Sequence, residues 1–154
     1  MSNQIAIQAM TDAGPAVVPA GSSRASRIVA SGARVVLGLL FAVMGLNGLL
    51  HFIPDPAPET IPAGAMAFTL AMARAGYFLP LLGATQAVAG ALLVTGRFVP
   101  LALTILAPVI VNIVALHLFL APQGLPMALV VLACEVYLAI VHRSAFRSLL
   151  ASRA

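Results

Sequence analysis

The chain has 154 residues, of which 62% are hydrophobic and 8% are charged, and its formal net charge is +4 at pH 7. Ordinary soluble domains are about 45–50% apolar and about 25% charged, and a short chain leaves much of its surface exposed. The composition therefore argues against a water-soluble domain and indicates a membrane protein. The basic residues are all arginines spread along the chain, which argues against a nucleic-acid-binding face.

The first segment, residues 1–27, is rich in Ala, Gly, Pro and Ser and shows no sustained period. Such a composition buries too little apolar surface to fold, and it predicts a disordered tail. No basic region precedes an early apolar stretch, so a secretory signal is not expected. The rest of the chain, residues 28–150, is assigned to one membrane domain.

Four apolar runs follow the tail, at about residues 33–53, 76–96, 98–121 and 125–142. A helix needs about 20 apolar residues to cross a bilayer, and the fourth run is only slightly shorter than that. Helices satisfy their own backbone hydrogen bonds in lipid. The sequence therefore predicts an all-α protein, a bundle of four transmembrane helices.

A Pro-rich segment separates the first two runs, and its second half, at about residues 62–74, is apolar on nearly every side. This half predicts a short helix that lies in the membrane interface or folds over the bundle. The alternative is a longer second transmembrane helix.

Arginine placement predicts the orientation of the chain. One side of the bundle carries seven arginines, namely Arg24, Arg27, Arg34, Arg97, Arg143, Arg147 and Arg153. The other side carries Arg74 alone. Since positively charged loops stay in the cytoplasm, both termini and the disordered tail are expected there.

Small residues recur at helical spacing in the first two runs, and they are Gly38, Ala42, Gly45, Gly83, Ala87 and Gly90. Stripes of this kind let two helices approach closely in lipid. The alternative is that Gly and Ala are simply common in this chain.

Polar side chains within the runs are the candidate site residues, and they are Asn47, His51, Gln86, Asn112, His117 and Glu135. A rise of about 1.5 Å per residue places the two Asn and two His in the outer half of the membrane. It places Gln86 and Glu135 near the middle. We expect the six to line one polar pocket, in which Asn47 and His51 meet Asn112 and His117, and Gln86 bonds Glu135.

Each candidate also has a structural interpretation. A His near the interface can reach water, and a membrane amide can join helices through hydrogen bonds of about 0.6–2 kcal/mol. A carboxyl in mid-membrane, such as Glu135, is expected to be neutral or paired. The chain lacks CxxC, CxxCH, HExxH and glycine-rich nucleotide motifs. Two His could hold a haem or a metal ion, but no metal site and no catalytic residue are assigned.

The stretches "ARVVLGLLFAVMGLNGLLHFIPDP", "GYFLPLLG" and "GRFVPLAL", with an Asn and a following His in the third run, resemble the DoxX-like family of small bacterial membrane proteins. The resemblance covers about residues 33–150. It implies a four-helix protein of the bacterial inner membrane, often linked to quinone or thiol redox systems; one relative is a subunit of a thiosulfate:quinone oxidoreductase. This chain has Gln86 in the region where relatives commonly carry a glutamate.

These observations predict a redox-associated membrane subunit, quinone- or thiol-linked, with a polar pocket in the outer half of the bundle. A quinone headgroup fits such a pocket because its two carbonyls need hydrogen-bond donors. Membrane lipid, a redox partner protein and further copies of the chain are the partners to consider, and no nucleic acid is expected. The alternative is a non-catalytic membrane module that binds a lipid or a partner protein.

Overall fold

The computed structural model describes residues 24–150, with side chains as far as residue 146. Between these limits the chain forms helices and no strand. The helices are α1 (Arg24–Leu50), α2 (Ala63–Arg74), α3 (Phe78–Thr95), α4 (Val99–Phe119), α5 (Leu125–Val141) and α6 (Arg143–Leu150). Short 3₁₀ turns cover Pro58–Thr60 and Pro122–Gly124. Four segments are long and apolar enough to cross a membrane: α1, α3, α4 and Pro122–Val141, which contains α5. The predicted all-α four-helix bundle is confirmed.

The start of α1 lies earlier than the apolar pattern predicts. Arg24–Leu50 is one continuous helix, so residues 24–27 belong to α1 and not to the tail. Arg and Ala are strong helix formers, and they extend the helix beyond its apolar part. The rest of the predicted disordered tail, residues 1–23, lies outside the described residues.

The short helix between the first two spans is confirmed as α2. It ends at Arg74, and Gly76 adopts a left-handed conformation with φ of +74° before α3 begins. Because L side chains rarely adopt this conformation, the glycine permits a sharp change of direction. Hence α2 and α3 are two helices, and the alternative of one long second span is wrong.

The four spanning helices form a ring in which α1 packs most extensively along α3 and α4 packs against α5. Contacts of α3 with α4 and of α1 with α5 close the ring. Apolar side chains from the spanning helices fill the interior, among them Leu37, Phe41, Leu93, Leu106 and Leu138. Large apolar side chains also cover the outside of the bundle, as expected for a surface that faces lipid.

The predicted small-residue contact between α1 and α3 is confirmed. A Cβ added to Gly45 would collide with the backbone N of Ala87, and one added to Gly90 would collide with the backbone N of Ala42. At Gly83, an added Cβ would lie 2.9 Å from the carbonyl oxygen of Gly45. The two backbones therefore touch, and each side depends on the missing side chains of the other.

Candidate functional site

Asn47 and His51 close the end of α1. The side-chain Oδ1 of Asn47 accepts a hydrogen bond of 2.6 Å from the backbone N–H of Ile53. The backbone N–H of His51 donates to the carbonyl oxygen of Asn47 at 2.8 Å, and His51 is exposed in a left-handed conformation with φ of +52°. The two residues thus hold the turn that leads from α1 into the Pro-rich segment.

Asn112 and His117 lie on different sides of α4. Asn112 is exposed on the outside of the bundle, whereas His117 is half-buried. The Nδ1 of His117 lies 3.1 Å from the carbonyl oxygen of Ala121. Since a carbonyl only accepts, Nδ1 carries the hydrogen in this contact and Nε2 is left as the second polar atom of the ring. Gly124, in the 3₁₀ turn after α4, lies directly against the His117 imidazole, and a side chain at this position would collide with the ring.

One cavity lies where all four spanning helices meet, and we call it the central cavity. It has a volume of about 170 Å³, and it brings Gln86 of α3 together with His117 of α4. The rest of its lining is apolar and includes Phe41 of α1 and Val131 of α5. Of the six predicted site residues, these two share it.

The expected meeting of Asn47 and His51 with Asn112 and His117 is therefore wrong. His51 and Asn112 are both exposed, and the Asn47 side chain bonds the turn after α1, so that His117 alone of the four lines the central cavity. Matching depth in the membrane does not bring two side chains together when they point in different directions around their helix axes.

Glu135 lines a second cavity, between α4 and α5, which we call the lateral cavity. Its volume is about 350 Å³, and its walls are apolar apart from Glu135 and Thr104. The Thr104 hydroxyl already donates to the carbonyl oxygen of Pro100 at 2.9 Å. Val111 and Val136, which also line this cavity, are exposed, so it opens on the side of the bundle.

The Glu135 carboxyl is buried in this cavity and unpaired. Glu135 is only 6% exposed, and its Oε2 has no hydrogen-bond partner in the described part of the chain. An ionised carboxylate in such surroundings is strongly disfavoured, so the neutral acid is the favoured form. A neutral carboxylic acid has one O–H to donate, and among residues 24–146 it forms no hydrogen bond.

The predicted bond between Gln86 and Glu135 is wrong. Gln86 lines the central cavity and Glu135 lines the lateral cavity, and no hydrogen bond joins them among residues 24–146. Equal depth in the membrane predicts that the two side chains lie at the same height, but not that they face each other. Their directions around the helix axes differ, because the side of α5 that carries Glu135 is turned toward α4.

Sequence reasoning missed Thr104 and Phe146, which complete the wall of the lateral cavity. One signal was available. Pro108 lies inside α4 and has no N–H to donate to the carbonyl of Thr104, four residues earlier. The Thr104 carbonyl therefore lacks its helical donor. Thr104 and Glu135 both line the lateral cavity between α4 and α5.

Within the described residues, no three His, Cys, Asp or Glu side chains come together in a way that could hold a metal ion. The single cysteine, Cys134, is a free thiol beside Glu135 in the sequence, and it packs against the apolar core. The chemistry available at the site is thus that of one carboxylic acid in an apolar cavity.

Comparison of the chain with models of known families gives no match, and comparisons with curated proteins and with solved structures give none either. The resemblance to the DoxX-like family therefore stays a prediction based on the motifs quoted above.

Proposed function

We propose that this protein is a redox-associated membrane subunit that takes up a quinone-type molecule from the bilayer into the lateral cavity. The Glu135 carboxylic acid donates its hydrogen bond to one carbonyl oxygen of the ligand. A redox partner protein supplies or removes the electrons. The proposed position is the α4–α5 cavity and not the outer-half pocket that the sequence suggested.

One observation carries the proposal, and it is the unpaired Glu135 carboxyl in an otherwise apolar cavity. A buried polar group without a partner costs about 1–3 kcal/mol, so natural proteins rarely keep one that has no task. A ligand with a hydrogen-bond acceptor and an apolar body would satisfy both the acid and the walls. Quinones have this combination, and the side opening of the cavity gives access from lipid.

The size of the lateral cavity supports a small ligand or the headgroup of a larger one. Its volume of about 350 Å³ lies near the lower end of the range for ligand sites, about 300–1,000 Å³. Glu135 is the one free donor in the lining, so the cavity would hold one carbonyl of a quinone and leave the second carbonyl at the opening. A quinone tail would then extend into the bilayer.

The resemblance to DoxX-like proteins is the second support, because members of that family are often linked to quinone systems. Glu135 also suits the chemistry of such systems. Reduction of a quinone to a quinol takes up two electrons, which the partner protein supplies, and two protons; the neutral acid can pass one proton to the carbonyl that it bonds, and the second carbonyl takes its proton at the opening.

The experiment is a binding titration with a short-chain quinone on the detergent-purified chain, together with organic extraction of the purified protein. Glu135→Leu removes the donor and is expected to weaken binding at least about tenfold, as expected for loss of one buried hydrogen bond. Glu135→Gln keeps an N–H donor and should retain most of the affinity. Gln86→Leu is the matched control, because it removes a polar group from the central cavity only.

Equal affinity of the Glu135→Leu variant and the parent protein would overturn the assignment of the lateral cavity. Loss of affinity in Gln86→Leu with none in Glu135→Leu would move the site to the central cavity.

We also propose that the protein lies in a bacterial inner membrane with both termini in the cytoplasm. The support is the asymmetry of the arginines and the even number of spans. Reporter fusions at residues 60 and 123 should both report a periplasmic position. A cytoplasmic signal at either position contradicts this orientation.

Asn112 favours a second candidate function, the binding of a partner chain. It is an exposed amide in the apolar helix α4, and polar groups that face lipid are unfavourable. A neighbouring membrane helix would give the amide a hydrogen-bond partner. Crosslinking from a cysteine at position 115, one turn further along the same face of α4, should then yield a defined adduct in membranes, and adding Asn112→Leu to that variant should abolish it.

A further inference from the structure

A basic pocket lies at the end of the bundle where α1 begins and α5 ends. Its volume is about 620 Å³, and three arginines line it, Arg27 and Arg34 from α1 and Arg143 from α6. His142 and Ser31 add polar groups, and the lining contains no Asp or Glu. This basic pocket is separate from both cavities described above and does not depend on the proposed function.

Arg34 is held in place by the end of α3. Its Nη1 donates to the carbonyl oxygens of Leu93 and of Val94, the latter at 3.2 Å. Gly96 makes room for the guanidinium, because a Cβ there would lie 3.1 Å from Arg34 Cζ. Nε and Nη2 form no hydrogen bond with residues 24–146, so their N–H groups can bind a ligand. The group is therefore positioned in advance, which lowers the entropic cost of binding.

The charge of the basic pocket is not balanced by the described protein. Asp55 and Glu59 lie in the loop at the opposite end of the bundle, and Glu135 lines the lateral cavity. Three arginines line one concavity, their like charges repel one another, and an anion bound there would reduce that repulsion. Arginine binds phosphate in a bidentate manner, so a phosphate group is the anion that these side chains fit.

The surroundings indicate where the phosphate comes from. Ile140 and Val141 also line the basic pocket, and both are exposed on the outside of the bundle at the last turn of α5. The charged groups therefore begin where the apolar helix ends, which is the level of lipid headgroups. We propose that the basic pocket binds the phosphate of an anionic phospholipid, with an acyl chain lying along Ile140 and Val141.

The test compares Arg27→Gln/Arg143→Gln with Arg97→Gln in nanodiscs and in detergent. Arg34 is left unchanged because it holds the end of α3. Arg97 is exposed at the same end of the bundle but does not line the basic pocket, so it controls for the loss of charge. Each protein is titrated with a short-chain phosphatidylglycerol, with glycerol phosphate and with inorganic phosphate. The rise in melting temperature with ligand concentration measures binding.

We expect saturable binding of phosphatidylglycerol that is about thirtyfold weaker in Arg27→Gln/Arg143→Gln and almost unchanged in Arg97→Gln. Glycerol phosphate and inorganic phosphate should bind much more weakly than the lipid. Equal loss in the double variant and in the control would overturn the proposal. Inorganic phosphate binding as tightly as the lipid would overturn the assignment to a phospholipid and make the ligand a soluble phosphate.

Discussion

The two helix pairs of the bundle are built in opposite ways. Between α1 and α3, the backbones touch at Gly38, Gly45, Gly83 and Gly90, and a Cβ added to any of the four would collide with the facing helix. Between α4 and α5, a cavity of about 350 Å³ remains, and a buried acid in it has no partner. In lipid, packing itself drives helix association, so a cavity lowers the stability of the pair that contains it.

This difference suggests a division of roles. The α1–α3 pair packs backbone against backbone, and the α4–α5 pair keeps an open space beside a buried acid. This difference between the two pairs would be contradicted if the glycines were not needed for stability or if Glu135 stabilised the fold.

The largest effect is expected from Gly45→Ala. Its Cβ would meet the backbone of α3, which cannot move aside as a flexible side chain could, so the free energy of unfolding should fall by about 3 kcal/mol. Gly32→Ala, also in α1, is the control, because nothing lies within 4 Å of the added Cβ. It should raise stability by about 0.5–1 kcal/mol. Unfolding in detergent by heat or denaturant measures both, and equal effects of the two substitutions would contradict the close contact of α1 with α3.

The next effect concerns Arg34, which joins α1 to the end of α3. Arg34→Gln removes the charged donor to the Leu93 and Val94 carbonyls, and stability should fall by about 1.5–2 kcal/mol. Arg27→Gln changes the charge of the same helix without touching those carbonyls. In detergent free of phospholipid it should leave stability nearly unchanged; a loss as large as that of Arg34→Gln would mean that general charge, and not the end of α3, is what matters.

Glu135→Leu should act in the opposite direction. Replacing an unpaired buried acid with an apolar side chain of similar size removes its desolvation cost, so stability should rise by about 1 kcal/mol. The melting temperature in detergent is the readout, with Gln86→Leu measured alongside. A clear fall in the melting temperature of Glu135→Leu would reveal a partner for the carboxyl. Glu135 would then stabilise the packing of α4 against α5.

The smallest effect is expected at Asn47. Asn47→Ala removes the acceptor for the Ile53 N–H at the end of α1, which should cost about 0.5–1 kcal/mol. Quinone binding should not change, because Asn47 lies in neither cavity. If binding weakened while stability stayed the same, the outer-half pocket would have to be reconsidered.

Much of the fold follows from local features of the sequence. The lengths of the apolar runs predict four spans, the glycine and alanine spacing predicts the contact of α1 with α3, and the apolar stretch after the Pro-rich segment predicts α2. Each of these features depends on a single segment or on the size of the side chains in that segment. One sequence is therefore sufficient to predict them.

The site residues were harder to predict. Depth in the membrane follows from counting residues, but it does not specify which neighbours a side chain meets. It paired Glu135 with Gln86 and Asn47 with Asn112, however, and both pairings are wrong. Asn47 instead bonds the backbone of the following turn, which is a local alternative available to any Asn at a helix end.

Apolar length and composition are properties of single segments, so the sequence is enough to predict a four-helix membrane protein and the polar groups that its helices carry. The identity of neighbouring helices and the rotation of each helix about its axis depend on the packing of the whole bundle. That rotation puts Gln86 and His117 in one cavity, leaves Glu135 alone in another, and turns Asn112 outward. It is set by the contact of the α1 and α3 backbones and by the packing of all four helices at once, which no single segment specifies.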